Sequence, residues 1–244
     1  MTARIDRLSR ISLRLAQVGG LAVLIAPMAH RFGWIGLVQA FSLLILGVLV
    51  IITACVIALS VTVFYHRIPT GKRQRWVTLF IALVVLVIPV SSVVGALGAP
   101  AIHDITTDTE APPQFDAIVP LRGTTSNSLE YGGVELANTQ REAYPDIRSL
   151  IATQPPQDSF ELVMNVVRDL GWEIISSDYQ AGRIEAIDTT FWFGFKDDVV
   201  VRIKSQADGS RIDVRSVSRV GVGDLGKNAF RIREFLRRLR AILN

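Results

Sequence analysis

Before residue 100 the chain carries three long apolar runs separated by short charged segments, and nothing else in the sequence limits its fold as strongly. The first extends from Leu13 to Ala29, with Arg14 at its margin and Gly19, Gly20 and Pro27 inside it. The second, WIGLVQAFSLLILGVLVIITACVIALSVTVF, runs from Trp34 to Phe64. As one helix it would be about 46 Å long against a hydrocarbon core of about 30 Å, so its first turns are expected in the interface, anchored by Trp34. The third, from Trp76 to Ala99, suits one crossing, and a membrane helix tolerates the proline at Pro89. Three transmembrane helices at about 13–29, 41–64 and 76–98 are predicted from these lengths.

The basic residues orient them. Arg4, Arg7, Arg10 and Arg14 accompany the first run, and Arg67, Lys72, Arg73 and Arg75 lie between the second and third, whereas Arg31 is alone between the first and second. The positive-inside rule puts both four-charge segments in the cytoplasm and everything after residue 100 outside it. The expected address is the plasma (inner) membrane, multi-pass, with a periplasmic C-terminal domain. A first run read as a cleaved signal peptide still leaves the third span to export the tail.

The net charge of +4 follows from this topology. Nine of the 26 Lys and Arg residues precede residue 100, but only one of the 22 acids, so the exported part carries a net −4. That balance excludes nucleic acid as a partner. The only cysteine, Cys55, falls in the second run, which leaves the exported part without disulfide or thiol chemistry.

Seven of the ten prolines lie between residues 100 and 156, where periodicity is weak. Residues 100–115 read as a tether and 116–244 as the extracytoplasmic domain, within which QFDAIVPL and AYPDIRSLIA are apolar enough to pack on something. Order resumes after Pro156. Asp158 reads as a helix cap with Glu161 three residues on, and Phe160, Val163, Met164, Val167 and Leu170 recur at helical spacing. WEIISSDY, RIEAIDTTFWFGF, DVVVRIKSQ and SRIDVRSVS read as four strands at hairpin separations. Val199, Val201 and Ile203 share one face and Arg202 and Lys204 the other; Ile212 and Val214 lie opposite Arg211, Asp213, Arg215 and Arg219. In the aromatic segment, alternation sends Phe191, Phe193 and Phe195 into the core and leaves Trp192 as a candidate ligand surface. The last helix, near 227–243, sets Ile232, Phe235, Leu236, Leu239 and Leu243 against Arg231, Arg237, Arg238 and Arg240. The fold class expected is α+β, an antiparallel four-stranded sheet with two helices on one face, behind a three-helix transmembrane region.

The segment RSVSRVGVGDLGKN raises the one specific question of chemistry. Read functionally, its backbone is an anion nest at a helix N-terminus, with Arg202, Arg215, Arg219 and Lys227 supplying charge and Ser216, Ser218 and Asn228 supplying hydrogen bonds. Read structurally, Gly221, Gly223 and Gly226 make a tight turn, Asp224 caps the next helix, and the arginines pair with Asp197, Asp198 or Asp213. His103, Asp104 and Asp108 in IHDITTD are the alternative for general-base or metal duty, and Asp197 with Asp198 for a cation, but neither set is rich enough for a closed metal site. The serines have no GxSxG elbow. No metal, cofactor or catalytic residue is assigned.

FKDDVVVRI followed by IDVRSVSRVGVGDLGKNAFRIREFLRRL resembles the closing signature of a bacterial family of domains of unknown function, number 1499 (DUF1499). The likeness covers roughly 115–243, and IHDITTD after the last span resembles family members that carry hydrophobic N-terminal spans. The resemblance implies a domain and no mechanism. The function expected is a membrane-anchored binding or interaction module of the cell envelope, more a binder than an enzyme. Its expected partners are membrane lipids, an envelope protein or an anionic ligand; an enzyme on an envelope substrate and a structural subunit of a membrane complex are the alternatives. Residues 100–195 carry 5 bases and 15 acids, and residues 196–244 carry 12 and 6, which suggests either internal complementarity or a basic surface aimed at anionic lipid headgroups.

Overall fold

The apolar runs form three helices, α1 (Thr2–Arg31), α2 (Leu37–Phe64) and α3 (Lys72–Ala96), each starting before the span expected from hydropathy alone, and the third ending two residues short of it. All three are long and apolar enough to cross a membrane. The computed structural model describes residues 1–243, and of residues 88, 92, 93, 95 and 96 it describes the backbone only. The side chains of those five, within the third expected span, lie outside the description. The chain divides into two compact units, Met1–Val94 with Phe191–Gly194, and Gly95–Thr190 with Phe195–Asn244.

In the first unit α1 and α2 meet through small residues. A Cβ on Gly19 would lie 2.8 Å from the Gly47 carbonyl oxygen, and one on Gly47 would lie 2.9 Å from that of Gly19. Such close backbone contact is how helices associate where no hydrophobic driving force separates lipid from side chain. Ala16, Ala26, Ala54 and Ala58 are buried along the same helices. Arg75, expected in a cytoplasmic loop, is instead buried at the start of α3. Its guanidinium donates to Thr62 Oγ1 at 3.1 Å, Ser9 Oγ at 3.3 Å and the Thr70 carbonyl at 2.9 Å.

The second unit is the α+β domain, and its sheet has six strands. They are β1 (Asp104–Thr106), β2 (Leu150–Ala152), β3 (Glu173–Asp178), β4 (Arg183–Thr189), β5 (Lys196–Gln206) and β6 (Gly209–Ser218). The order is β1-β6-β5-β4-β3, with β2 beside the first half of β6 and β1 beside its second half, and every pairing is antiparallel. The two added strands fall inside the proline-rich stretch. β1 occupies what reads as a tether; three residues are too few for a periodic signal, although all three are buried. A helix in the same stretch, α4 (Gly133–Ala143), buries only Ala137 and Gln140. The Gln140 amide accepts from Thr106 N–H at 3.0 Å and donates to Thr106 C=O at 2.7 Å, so one side chain stands in for a neighbouring strand along β1.

α5 (Pro156–Asp169) and α6 (Lys227–Leu243) cover one face of the sheet. Phe160, Val163 and Val167 from α5 and Ile232, Phe235 and Leu239 from α6 close the core over Val199, Val201, Ile212 and Val214. Asp158 is not the cap of α5: Pro155 holds the N-cap position and Pro156 opens the helix, where the missing N–H costs nothing. At the far end Gly171 N–H bonds Arg168 C=O and Trp172 N–H bonds Val167 C=O, a Schellman ending. The aromatic segment also departs from its pattern. β4 stops at Thr189, and a turn closed by Thr190 N–H to Phe195 C=O at 2.8 Å breaks the alternation. Phe191 is therefore exposed rather than in the core, and Phe193 stacks at 5.0 Å on Phe41 within the first unit.

Candidate functional site

Strand alternation places Glu185, Asp198, Arg202, Asp213, Arg215 and Arg219 on the sheet face away from α5 and α6, and this face is buried too. Residues 107–131 lie across it. Glu185 accepts the backbone N–H groups of Asp116 and Ala117 at 3.0 and 3.2 Å on one oxygen and that of Ile118 at 2.9 Å on the other, which pins this covering segment to β4. Arg122, from the same segment, pairs with Asp198.

Arg215 is the centre of the arrangement. Its Nε and Nη2 reach the two carboxylate oxygens of Asp104 at 2.9 and 2.7 Å, Nη1 donates to Pro113 C=O at 3.1 Å, and Nη2 also donates to Leu129 C=O at 2.8 Å. The rings of Phe115 and Tyr131 lie 5.4 and 5.5 Å from the guanidinium carbon. The side chain is 0 % exposed. Four of its five N–H donors are used and no face is open, so Arg215 is unavailable to a ligand in this fold. Burial, together with the nearby Asp104 charge, pushes the Tyr131 hydroxyl up to about 12, so the phenol stays neutral beside the pair.

The rest of the signature is committed in the same way. Arg219 grips Asp198, with Nε and Nη2 at 3.0 and 2.7 Å from Oδ1. Arg202 Nη2 lies 2.9 Å from Asp108 and 2.7 Å from Asp213. Ser216 donates to Asn228 Oδ1 at 2.7 Å, and Asn228 Nδ2 donates to Ser218 Oγ and to His103 C=O, both at 2.9 Å. Asp224 accepts Gly226 N–H at 2.8 Å and Asn228 N–H at 2.6 Å, so it holds the first turn of α6 and occupies the helix end that an anion would need. Burial raises the Asp224 carboxyl above its ordinary value, more than the two N–H groups lower it. Gly221 and Gly226 take φ of 93° and 78°, as a tight turn requires, whereas Gly223 does not adopt positive φ. Among the seven residues grouped for anion binding, Lys227 alone has an exposed side chain.

Nor does the alternative set converge. His103 Nδ1 lies 3.1 Å from the Val222 carbonyl, an acceptor, so that nitrogen carries the proton, and the neighbouring Asp104 is taken by Arg215. Asp197 and Asp198 point to opposite faces, Asp197 to Arg231 and Asp198 to Arg219 and Arg122, so they do not meet around a cation. Arg231, placed by periodicity on a solvated helix face, is buried against Asp188 and Asp197 at 2.7 and 2.6 Å. Glu185, Arg122 and Gln140 gave no signal in the sequence, because their partners are backbone groups or residues far along the chain.

A second region, unmarked by any motif, is open. A cleft of about 680 Å³ lies between residues 107–110, α4, β2 and the β5–β6 hairpin. Arg141, Arg148, Lys204 and Arg211 line it together with Asp108 and Glu110. Arg211 pairs with Asp108 at 2.8 Å and Asp213 at 3.2 Å. Burial alone would raise Asp108; the N–H groups of Ala111 and Glu110, the charge of Arg211 and the hydrogen bond from Arg202 outweigh it and hold the carboxyl below its ordinary value. Arg141, Arg148 and Lys204 are exposed, and among the described residues none forms an ion pair. Arg141 bonds Thr109 Oγ1 and Asn138 Oδ1 at 3.0 and 2.7 Å, and Arg148 Nε bonds Pro145 C=O at 2.9 Å.

The family model described as Protein of unknown function (DUF1499) matches residues 104–239, more than half of the chain, and begins at β1 rather than after a tether. No curated protein matches the chain.

Proposed function

The chain belongs to the DUF1499 family, whose description assigns no activity, and we propose that it is a membrane-anchored binding module of the cell envelope. In this reading three spans hold the α+β domain on the extracytoplasmic side, and the domain recognises an anionic envelope component. The basic residues flanking the spans support that orientation, since Arg4, Arg7, Arg10, Arg14, Arg67, Lys72, Arg73 and Arg75 all fall on the side the positive-inside rule makes cytoplasmic. The observation that carries the binding role is the contrast between the signature arginines, held by internal carboxylates, and an open cleft in which Arg141, Arg148 and Lys204 have no such partner beside the paired Arg211. The competing reading, an enzyme built on His103 and Asp104, needs a carboxylate free to exchange a proton, and Asp104 is bound bidentately by Arg215.

Orientation is testable in intact cells. With Cys55→Ala as background, a cysteine replacing Asp208 in the β5–β6 hairpin is expected to react with a membrane-impermeant maleimide, and one replacing Arg73 is expected to react only after lysis. The reverse pattern overturns the extracytoplasmic assignment. Native mass spectrometry of the full chain released in mild detergent tests the binding role, with a retained anionic component as the expected result.

A further inference from the structure

We propose that the cleft between α4, β2 and the β5–β6 hairpin is a phosphate-binding site, in which Arg148 and Lys204 are the primary contacts and Arg141 closes one side. The inference rests on reading the domain as a binding module and names the ligand class for it. Arg202, Arg215, Arg219 and Arg231, and Arg211 within the cleft itself, each lie within ion-pair distance of a carboxylate. Arg141, Arg148 and Lys204 have no ion pair among the described residues, and all three line one concavity.

The charge count there favours an anion. Four cations face two carboxylates, and Asp108 is already shared between Arg211 and Arg202. Glu110 is the remaining acid and opposes an incoming phosphate. The two terminal nitrogens of Arg148 make no hydrogen bond among the described residues, which leaves the outer edge of its guanidinium for bidentate recognition of phosphate oxygens. Lys204 adds a point charge and Thr109 a hydroxyl group at the wall, whereas the Ser149 hydroxyl is spent on Asp213. The volume of about 680 Å³ exceeds what a lone phosphate fills and suits a phosphate ester with a polar body. Two sources share that chemistry, a free phosphate ester and the headgroup of an anionic phospholipid.

Inorganic pyrophosphate titrated by calorimetry into the full chain separates them. Nanodiscs of phosphatidylcholine alone are compared with nanodiscs that include phosphatidylglycerol. Saturable binding to the wild type is expected, weakened by about tenfold or more in Arg148→Ala/Lys204→Ala. Binding is expected to tighten in Glu110→Gln and to stay unchanged in Arg237→Ala, a cation on the outer side of α6. Weaker apparent affinity in the phosphatidylglycerol discs, for the wild type only, identifies the lipid headgroup as the source; equal affinity in both identifies a free ester. Absence of saturable binding in both discs, or equal binding by the double variant, overturns the site. Because the cleft residues lie outside the core, an unchanged melting temperature in the double variant shows that a loss is local. A failed titration beside an anionic component retained in mass spectrometry sinks this site alone. Inverted maleimide labelling sinks the envelope reading while the titration still stands.

Discussion

The two faces of the central sheet are both shut off from water, one by oil and the other by ions. On the helix side Val199, Val201, Ile212 and Val214 meet Phe160, Val163, Ile232 and Phe235. On the opposite side Arg202, Arg215 and Arg219 meet Asp104, Asp108, Asp198 and Asp213 beneath residues 107–131. The two kinds of burial differ in what they demand. Apolar contact is non-directional and yields gradually to change, whereas a buried charge requires a specific partner, and removing one member leaves the other stranded. The family signature falls mostly on the ionic face and its corner, where Arg215, Arg219 and Ser216 are paired with groups of the same domain.

That contrast can be broken experimentally, beginning with its largest consequence. Arg215→Ala leaves Asp104 buried without a counter-charge and is expected to cost about 3–5 kcal/mol, read as a fall in melting temperature of the full chain in detergent. On the other face Leu239→Ala is expected to cost about 2–5 kcal/mol, with no single partner whose removal restores it. Asp224→Ala removes the side-chain acceptor at the start of α6 and is expected to cost about 1 kcal/mol, while Asp224→Asn, which keeps an acceptor oxygen, costs less. Smallest are Arg148→Ala and Lys204→Ala, exposed cleft positions, each expected within about 0.5 kcal/mol of wild type.

Acid sharpens the comparison further. Asp108 and Asp146 are both held below the ordinary carboxyl value, Asp146 chiefly by its hydrogen bonds from Arg233. Each therefore contributes stability that is complete above the unfolded value near 3.8 and is lost as pH falls through the folded value. Asp224, raised by burial, acts in the opposite sense: its contribution is greatest below the unfolded value and declines as pH rises through the folded one. Melting curves recorded below pH 5 are expected to show Asp108→Asn losing less stability on acidification than wild type, and Asp224→Asn losing more.

Much of the helix face was legible in the sequence because it is built from periodicity. Val199, Val201 and Ile203 alternate in β5, Phe160, Val163 and Val167 recur in α5, and both patterns survive in the structure. The three N-terminal helices were legible for a different reason, the length of their continuous apolar runs. What escaped prediction depends on distant partners. β1 is three residues long, and its role is visible only once Asp104 is seen against Arg215, 111 positions away. Arg231 has the spacing of a solvated residue and is buried because Asp188 and Asp197 converge on it from β4 and β5. The cleft left no trace in any motif, since Arg141 comes from α4, Arg148 from the loop before β2 and Lys204 from β5, and they share only their position in space. Of the two readings of the domain's charge asymmetry, internal complementarity matches Arg215–Asp104, Arg231–Asp188 and Arg233–Asp146, which join one half to the other, although only the first of these lies on the ionic face.

A double-mutant cycle on Arg215 and Asp104, followed by thermal unfolding of the full chain with Trp172 as the buried reporter, tests the central claim most directly. If the signature holds the domain together, Arg215→Met and Asp104→Leu each lower the melting temperature strongly, and the double variant recovers most of the loss. A single Arg215→Met variant that unfolds at the wild-type temperature would contradict the account, because Arg215 would then be dispensable for the fold.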